Sequence, residues 1–294
     1  MKNDFSGVGV ALVTPFDRAG NVDYEGLGRL VDSVIAGGAD YLLTLGTTAE
    51  PPTLSPQERA SVAAFIRERN DGRLPLVIGI GGNCTADVVQ AVAQTDTAGF
   101  DAILSVTPYY NKPSQEGLFR HYRAVAEATP LPVILYNVPG RTSVNIAADT
   151  ALRIAREVPN VIGIKEASGN LDQIRAVIDG APKGFRVISG DDSLTLPIVK
   201  MGGVGVISVA ANVYTEPFCR MVHAALAGDW ATAESVWGVL EEPVRLLFEE
   251  GNPTGVKAAL AVKGLIRPGV RLPLVEGSRS LMDRLAALIG ERGL

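Results

Sequence analysis

The chain is poor in the residues that most often carry metal or nucleophile chemistry. It has only two histidines, His121 and His223, both inside helical patterns. No cluster with metal-ligand spacing forms around them, so no metal is expected. No Gly-x-Gly-x-x-Gly follows the first strand-like run, and there is neither a phosphate-cradling loop nor a serine-histidine-acid set. That argues against dinucleotide, nucleotide-triphosphate and serine-hydrolase chemistry, and no cofactor is called for. Two cysteines, Cys84 and Cys219, are too few for a disulfide framework. One staple between them is an alternative, but free thiols in a reducing compartment are the expectation. The net charge of −5 comes without a basic stretch, so nucleic acid is not an expected partner. No apolar run approaches the ~18 residues of a membrane helix. The start, Met1-Lys2-Asn3-Asp4-Phe5, lacks the apolar core of a secretory signal. These absences lead to the expectation of a cytoplasmic protein with no membrane partner.

What is present is a strong rhythm. Within 294 residues, 47% of them hydrophobic, short apolar runs alternate with helical stretches. The runs are Gly7 to Val13, Tyr41 to Leu45, Leu76 to Ile80, Ala102 to Val106, Val133 to Tyr136, Val161 to Lys165, Arg186 to Ser189 and Gly205 to Val209. They are continuously apolar, as parallel strands covered on both faces are. Helix-opening signals follow them, among them the capping box Ser55-Pro56-Gln57-Glu58, Thr85-Ala86-Asp87-Val88 and Ser114-Gln115-Glu116. Eight such repeats predict an α/β fold, a (β/α)8 TIM barrel over residues 1–228. An open doubly wound sheet is the alternative. Helical patterns then run on over Trp230 to Phe248, Thr254 to Leu265 and Gly277 to Ile289. They predict a C-terminal helical extension over 229–294, packed on the barrel.

One residue breaks the apolar rule. Lys165 sits at the end of Val161-Ile162-Gly163-Ile164-Lys165. Either it leaves the strand and snorkels to water, or desolvation frees its amine to act as a nucleophile that condenses with a ketone. Taken alone the strand favours the first reading; its neighbours reverse that. Residues just after barrel strands share the face where active sites form. Those positions hold Thr14, Thr47, Thr48, Asn83, Tyr109, Tyr110, Tyr136, Arg141, Gly190 and Ile207 to Asn212. Tyr136 is either a core tyrosine or a phenol that moves a proton for a reacting carbonyl. Arg141 is either a surface arginine or a planar fork for a carboxylate. Gly46-Thr47-Thr48 is either an ordinary polar turn or a nest for a small acid. Asp191-Asp192 either caps the next helix or holds a hard cation.

Four stretches then carry a resemblance: Gly46-Thr47-Thr48-Ala49-Glu50, Thr107-Pro108-Tyr109-Tyr110-Asn111-Lys112-Pro113, Tyr136-Asn137-Val138-Pro139-Gly140-Arg141-Thr142 and Gly163-Ile164-Lys165-Glu166-Ala167-Ser168-Gly169. In this order, the chain resembles the dihydrodipicolinate synthase / N-acetylneuraminate lyase family of class I aldolases over nearly its whole length. The Pro-Gly-Arg-Thr ending is similar to the dihydrodipicolinate synthase branch rather than to the sugar-acid lyases. The resemblance implies a Schiff-base lyase of lysine and diaminopimelate biosynthesis. Its substrates would be pyruvate and aspartate semialdehyde, condensed to 4-hydroxy-tetrahydrodipicolinate. The alternative is a pyruvate-dependent sugar-acid aldolase, and a non-catalytic barrel that senses a small acid is a further one.

By the same resemblance Lys165 is the imine-forming residue, and Thr47 and Thr48 hold the pyruvate carboxylate. Tyr136, Thr47 and Tyr110 form a proton relay, Tyr110 entering from a neighbouring subunit of a homotetramer built as a pair of dimers. Arg141 takes the semialdehyde carboxylate, and Gly190 and Ile207 line the pyruvate pocket. Two departures stand out. Ala49 replaces the usual glycine, which carries a modest strain cost if that position needs a positive φ, and the loop is expected to tolerate it. The positions aligned with the lysine-inhibition cleft of relatives are Pro51, Pro56, Arg59, Asn83, Asp87 and Tyr109. With Arg59 placing a cation against the ligand's ammonium, weak or absent inhibition by lysine is expected.

Overall fold

A computed structural model describes residues 5–294; the polar start Met1-Lys2-Asn3-Asp4 lies outside them. Eight strands close a barrel in chain order: β1 (Gly7–Ala11), β2 (Tyr41–Thr44), β3 (Leu76–Gly79), β4 (Ala102–Val106), β5 (Val133–Asn137), β6 (Val161–Glu166), β7 (Arg186–Ser189) and β8 (Gly205–Ser208). This is the (β/α)8 architecture that the apolar runs predict, and it rules out the open sheet. Strand ends differ from expectation by a residue or two. β1 stops at Ala11 because the Val13 N–H donates to the Asn212 side chain (3.3 Å) instead of to a neighbouring strand.

The chain divides into two compact units, Pro75–Ile207 and Gly7–Leu74 with Ser208–Leu294. In the first, β4 to β7 pair in parallel. Tyr122, Leu135, Ile154, Ile164, Ile174 and Val187 fill the layer where strands meet helices. Strand register sets the chemistry. Tyr136 stands opposite Lys165, and Asn137 opposite Glu166. Successive side chains on a strand point to opposite faces, so the first rung and the second serve different layers.

The second unit pairs β1 with β2. Several of its helices begin at side-chain caps. Ser55 and Glu58 form the predicted capping box, with bonds of 3.1 and 2.8 Å. Asp23 and Asp229 cap the helices Tyr24–Ala36 and Trp230–Glu249. The extension contains two further helices, Thr254–Val262 and Arg279–Arg292. The first is shorter than its pattern because Gly264 turns the chain at φ 71°. The second starts later because Ser278 accepts the Leu281 N–H and fixes the cap there.

Among the described residues no helix is long and apolar enough to cross a membrane. Cys84 is exposed and Cys219 buried, both as free thiols. Burial pushes the Cys219 thiol up to about 12, with Asp40 and Glu216 adding to the effect, so it stays protonated and inert.

Candidate active site

Lys165 does not snorkel. It is 5% exposed, and its Nζ lies over the ring of Tyr136, itself 7% exposed, 4.4 Å from the centroid. The strand pairing dictates this contact, because the two residues share one rung of β5 and β6. Gly190, just after β7, is the third member. A Cβ there would stand 3.1 Å from Lys165 Cε and 2.7 Å from the Ala167 Cβ. Any side chain at 190 therefore clashes with Ala167 and crowds the lysine arm. Ile207 on β8 is buried.

The next rung holds this one in place from its far side. Glu166 is a buried carboxylate whose neighbours are amides rather than cations. Asn137 Nδ2 donates to both of its oxygens at 3.1 Å, the Ser168 N–H donates at 2.8 Å and Gln173 Nε2 at 3.2 Å. Burial raises its carboxyl above the usual range, against those hydrogen bonds. Asn137 in turn receives the Ile146 N–H at 3.0 Å.

Arg141 is exposed on the short helix Pro139–Thr142 that follows β5. Its loop is fixed from beneath by the buried Thr142 hydroxyl, which accepts from Thr107 Oγ1 (3.1 Å) and donates to the Val144 carbonyl (3.0 Å). After β4, Tyr109 is 41% and Tyr110 88% exposed. Tyr110 sits at φ 71° and Lys112 at φ 46°. Such left-handed backbone costs of order 1 kcal/mol per residue and clusters at functional sites. Asn111 Nδ2 ties this loop to the Asn83 carbonyl at 2.8 Å.

In the other unit, Thr47, Thr48 and Ala49 form one tight 3-10 turn after β2. The turn tolerates Ala49, as expected. The left-handed residue is its neighbour Glu50, at φ 56° and ψ 41°. Thr14 Oγ1 donates to the Ala49 carbonyl at 2.8 Å, and Asn252 Nδ2 donates to Thr48 Oγ1 at 3.0 Å. Glu50 is buried and pairs with Lys257 Nζ at 2.5 Å. Lys257 also donates to the Gly269 carbonyl at 2.9 Å and lies 4.1 Å from the Phe16 ring centroid. The Arg271 N–H reaches the second Glu50 oxygen at 3.1 Å, while its guanidinium grips Glu58 at 2.6 Å and the Thr53 carbonyl at 2.9 Å.

Sequence reasoning missed Lys257. The signal was a charge set directly within Val256, Ala258, Ala259 and Leu260 on a helix, as unusual as Lys165 within its strand. Asp191 does not cap the helix Thr195–Met201, whose first flanking residue is Leu194. It accepts the Ser193 N–H (2.9 Å) and hydroxyl (2.7 Å) and shapes the turn ahead of that helix. Among the described residues, no group of three histidine, cysteine, aspartate or glutamate side chains could hold a metal ion.

A fold alone does not fix a function, but sequence similarity here is extensive. The model of the dihydrodipicolinate synthetase family matches residues 4–292. The chain is 53% identical over 272 residues to 4-hydroxy-tetrahydrodipicolinate synthase of Parabacteroides distasonis, covering 92% of each chain. It is 52% identical over 281 residues to the enzyme of that name from Porphyromonas gingivalis, covering 95% of each. The crystal structure of dihydrodipicolinate synthase from Aquifex aeolicus superposes with a TM-score of 0.95 at 41% identity, covering 99% of each chain. The chain belongs to the dihydrodipicolinate synthetase family.

Proposed function

We propose that this enzyme condenses pyruvate with L-aspartate 4-semialdehyde to 4-hydroxy-tetrahydrodipicolinate through a Schiff base on Lys165. In this reading Lys165 Nζ attacks C2 of pyruvate and water leaves, giving an imine. Loss of a C3 proton gives the enamine, whose C3 bonds to the aldehyde carbon of the semialdehyde. The substrate's amine then attacks C2, releases Lys165 and closes the ring. Tyr136 carries protons to and from the reacting oxygen and carbon, in a relay with Thr47 and with Tyr110 of a neighbouring subunit. Thr47 and Thr48 hold the pyruvate carboxylate, Gly190 and Ile207 line its pocket with backbone groups, and Arg141 pairs with the semialdehyde carboxylate.

The observation that carries this reading is the buried Lys165 amine over the Tyr136 ring, with glycine at 190 leaving room for the arm. The names of its relatives support the choice of substrates. We further propose a cytoplasmic homotetramer, with the exposed Tyr110 reaching across a subunit contact. The barrel would span residues 1–228, with 229–294 as the helical extension packed on it.

The test is incubation with pyruvate and borohydride followed by peptide mass spectrometry. One reduced pyruvate adduct at Lys165, absent in Lys165→Ala, is expected. No adduct, or one on another lysine, refutes the mechanism. Turnover with the semialdehyde, and none with sugar aldehydes, distinguishes this enzyme from a sugar-acid aldolase.

A further inference from the structure

The helices beyond the barrel repeat supply more than packing. Within their own unit, three residues of the stretch 252–271 converge on the turn that carries Thr47 and Thr48. Asn252 Nδ2 donates to Thr48 Oγ1 at 3.0 Å. Lys257 pairs with Glu50, the residue that closes the turn in a left-handed conformation. Arg271 binds the other Glu50 oxygen through its backbone and the Thr53 carbonyl through its guanidinium.

The polarity of the first contact matters. A hydroxyl has one hydrogen and two lone pairs. Once an amide N–H occupies a lone pair of Thr48 Oγ1, the hydroxyl hydrogen is left to donate to a further acceptor. A carboxylate accepts only, so a hydroxyl set in this way suits one. The Lys257–Glu50 pair, fully buried, keeps the turn from relaxing around that bond.

We propose that Asn252 is a positioning residue for the pyruvate carboxylate, acting through the Thr48 hydroxyl. The proposal rests on the reading of Thr48 as a carboxylate-holding residue. Asn252 touches no substrate; it sets which way Thr48 donates.

Two variants of the full chain test it, Asn252→Ala and Asn252→Asp. Alanine removes the donor, and the KM for pyruvate rises about tenfold, the size of one lost charge-assisted hydrogen bond. Aspartate keeps the shape but accepts where asparagine donates. It draws the Thr48 hydrogen onto itself and adds a negative charge beside the substrate's own, so its KM rises further than that of alanine. In both, kcat at saturating pyruvate falls less than about threefold, and the KM for the semialdehyde stays put, because uniform binding of one substrate is what is lost.

A merely structural residue would give the opposite order, with aspartate the milder change and both KM values moving with thermal stability. That result, or an unchanged KM for pyruvate in both variants, overturns the proposal. If alanine loses the fold, the aspartate variant carries the test. Borohydride labelling at saturating pyruvate separates the two levels of the argument. An unlabelled wild type sinks the functional reading and the role of Asn252 with it. A labelled wild type with an unmoved KM sinks the role of Asn252 alone.

Discussion

Removing either partner of the Lys257–Glu50 pair leaves a buried group that must shed its charge, and the two losses should cross as pH changes. Both side chains are out of water, at 0% and 1% exposure. Burial pushes the Lys257 ammonium below the ordinary lysine range, with the Glu50 carboxylate pulling the other way. In Lys257→Met, Glu50 must take up a proton. In Glu50→Gln, Lys257 must lose one. Each neutral survivor keeps a partner, the Arg271 N–H for the acid and the Gly269 carbonyl for the amine, so neutralisation sets the ceiling of the loss.

At about pH 8 an ordinary carboxyl lies nearly 4 units below ambient and an ordinary lysine about 2.4 above, so the ceilings are about 5 kcal/mol for Lys257→Met and about 3 kcal/mol for Glu50→Gln. At about pH 6 they become about 2 and about 6 kcal/mol, and the order reverses near pH 7.4, midway between the two reference values. The double variant should lose less than the worse single one, as expected when no stranded charge remains. Urea denaturation of all four proteins across this range measures it. Two single variants that track each other with pH, or lose under about 1 kcal/mol each, would refute the buried ion pair.

Acid stability should report on His121. Its Nδ1 lies 2.9 Å from Thr85 Oγ1, its Nε2 is buried with no hydrogen-bond partner, and burial pushes its pKa down to about 4. The unfolded chain then binds more protons than the folded one between about pH 6.5 and 4, so stability falls as pH drops through that window, by up to about 3 kcal/mol in all. His121→Asn should flatten that part of the urea-midpoint profile, and an unchanged slope would count against the assignment. Millimolar lysine added to the coupled assay should leave the rate nearly intact, since Arg59, aligned by resemblance with the lysine cleft of relatives, is an exposed cation; strong inhibition would falsify this.

The barrel was legible because the strands are short, mostly apolar runs that end in polar loops, and Lys165 was legible as a charge at the end of one of those runs. Tyr136, Arg141 and Gly190 became legible once the repeat placed them just after strands. Side-chain pairings across the chain were not. Lys257 and Glu50 are 207 residues apart, and no local period links them. The helix around Lys257 is buried over most of its surface, which erases the polar face that would have marked an inward charge. The turn tolerates Ala49, as expected, but which residue carries the positive φ was not legible. The chain makes a 3-10 turn first and reverses at Glu50, whose buried side chain pairs with Lys257 far along the chain.

The rungs of β5 and β6 constrain anyone who wishes to transplant this chemistry. Tyr136 and Lys165 occupy one rung, and Asn137 and Glu166 the next. A designer who grafts the lysine and the phenol alone into another cylinder moves one half of a two-part unit. The Asn137–Glu166 amide–carboxylate contact of the next rung stays behind. The unit that keeps both rungs together is two dipeptides, Tyr136-Asn137 and Lys165-Glu166, with Gly190 at the exit of the adjoining strand to leave the arm its space.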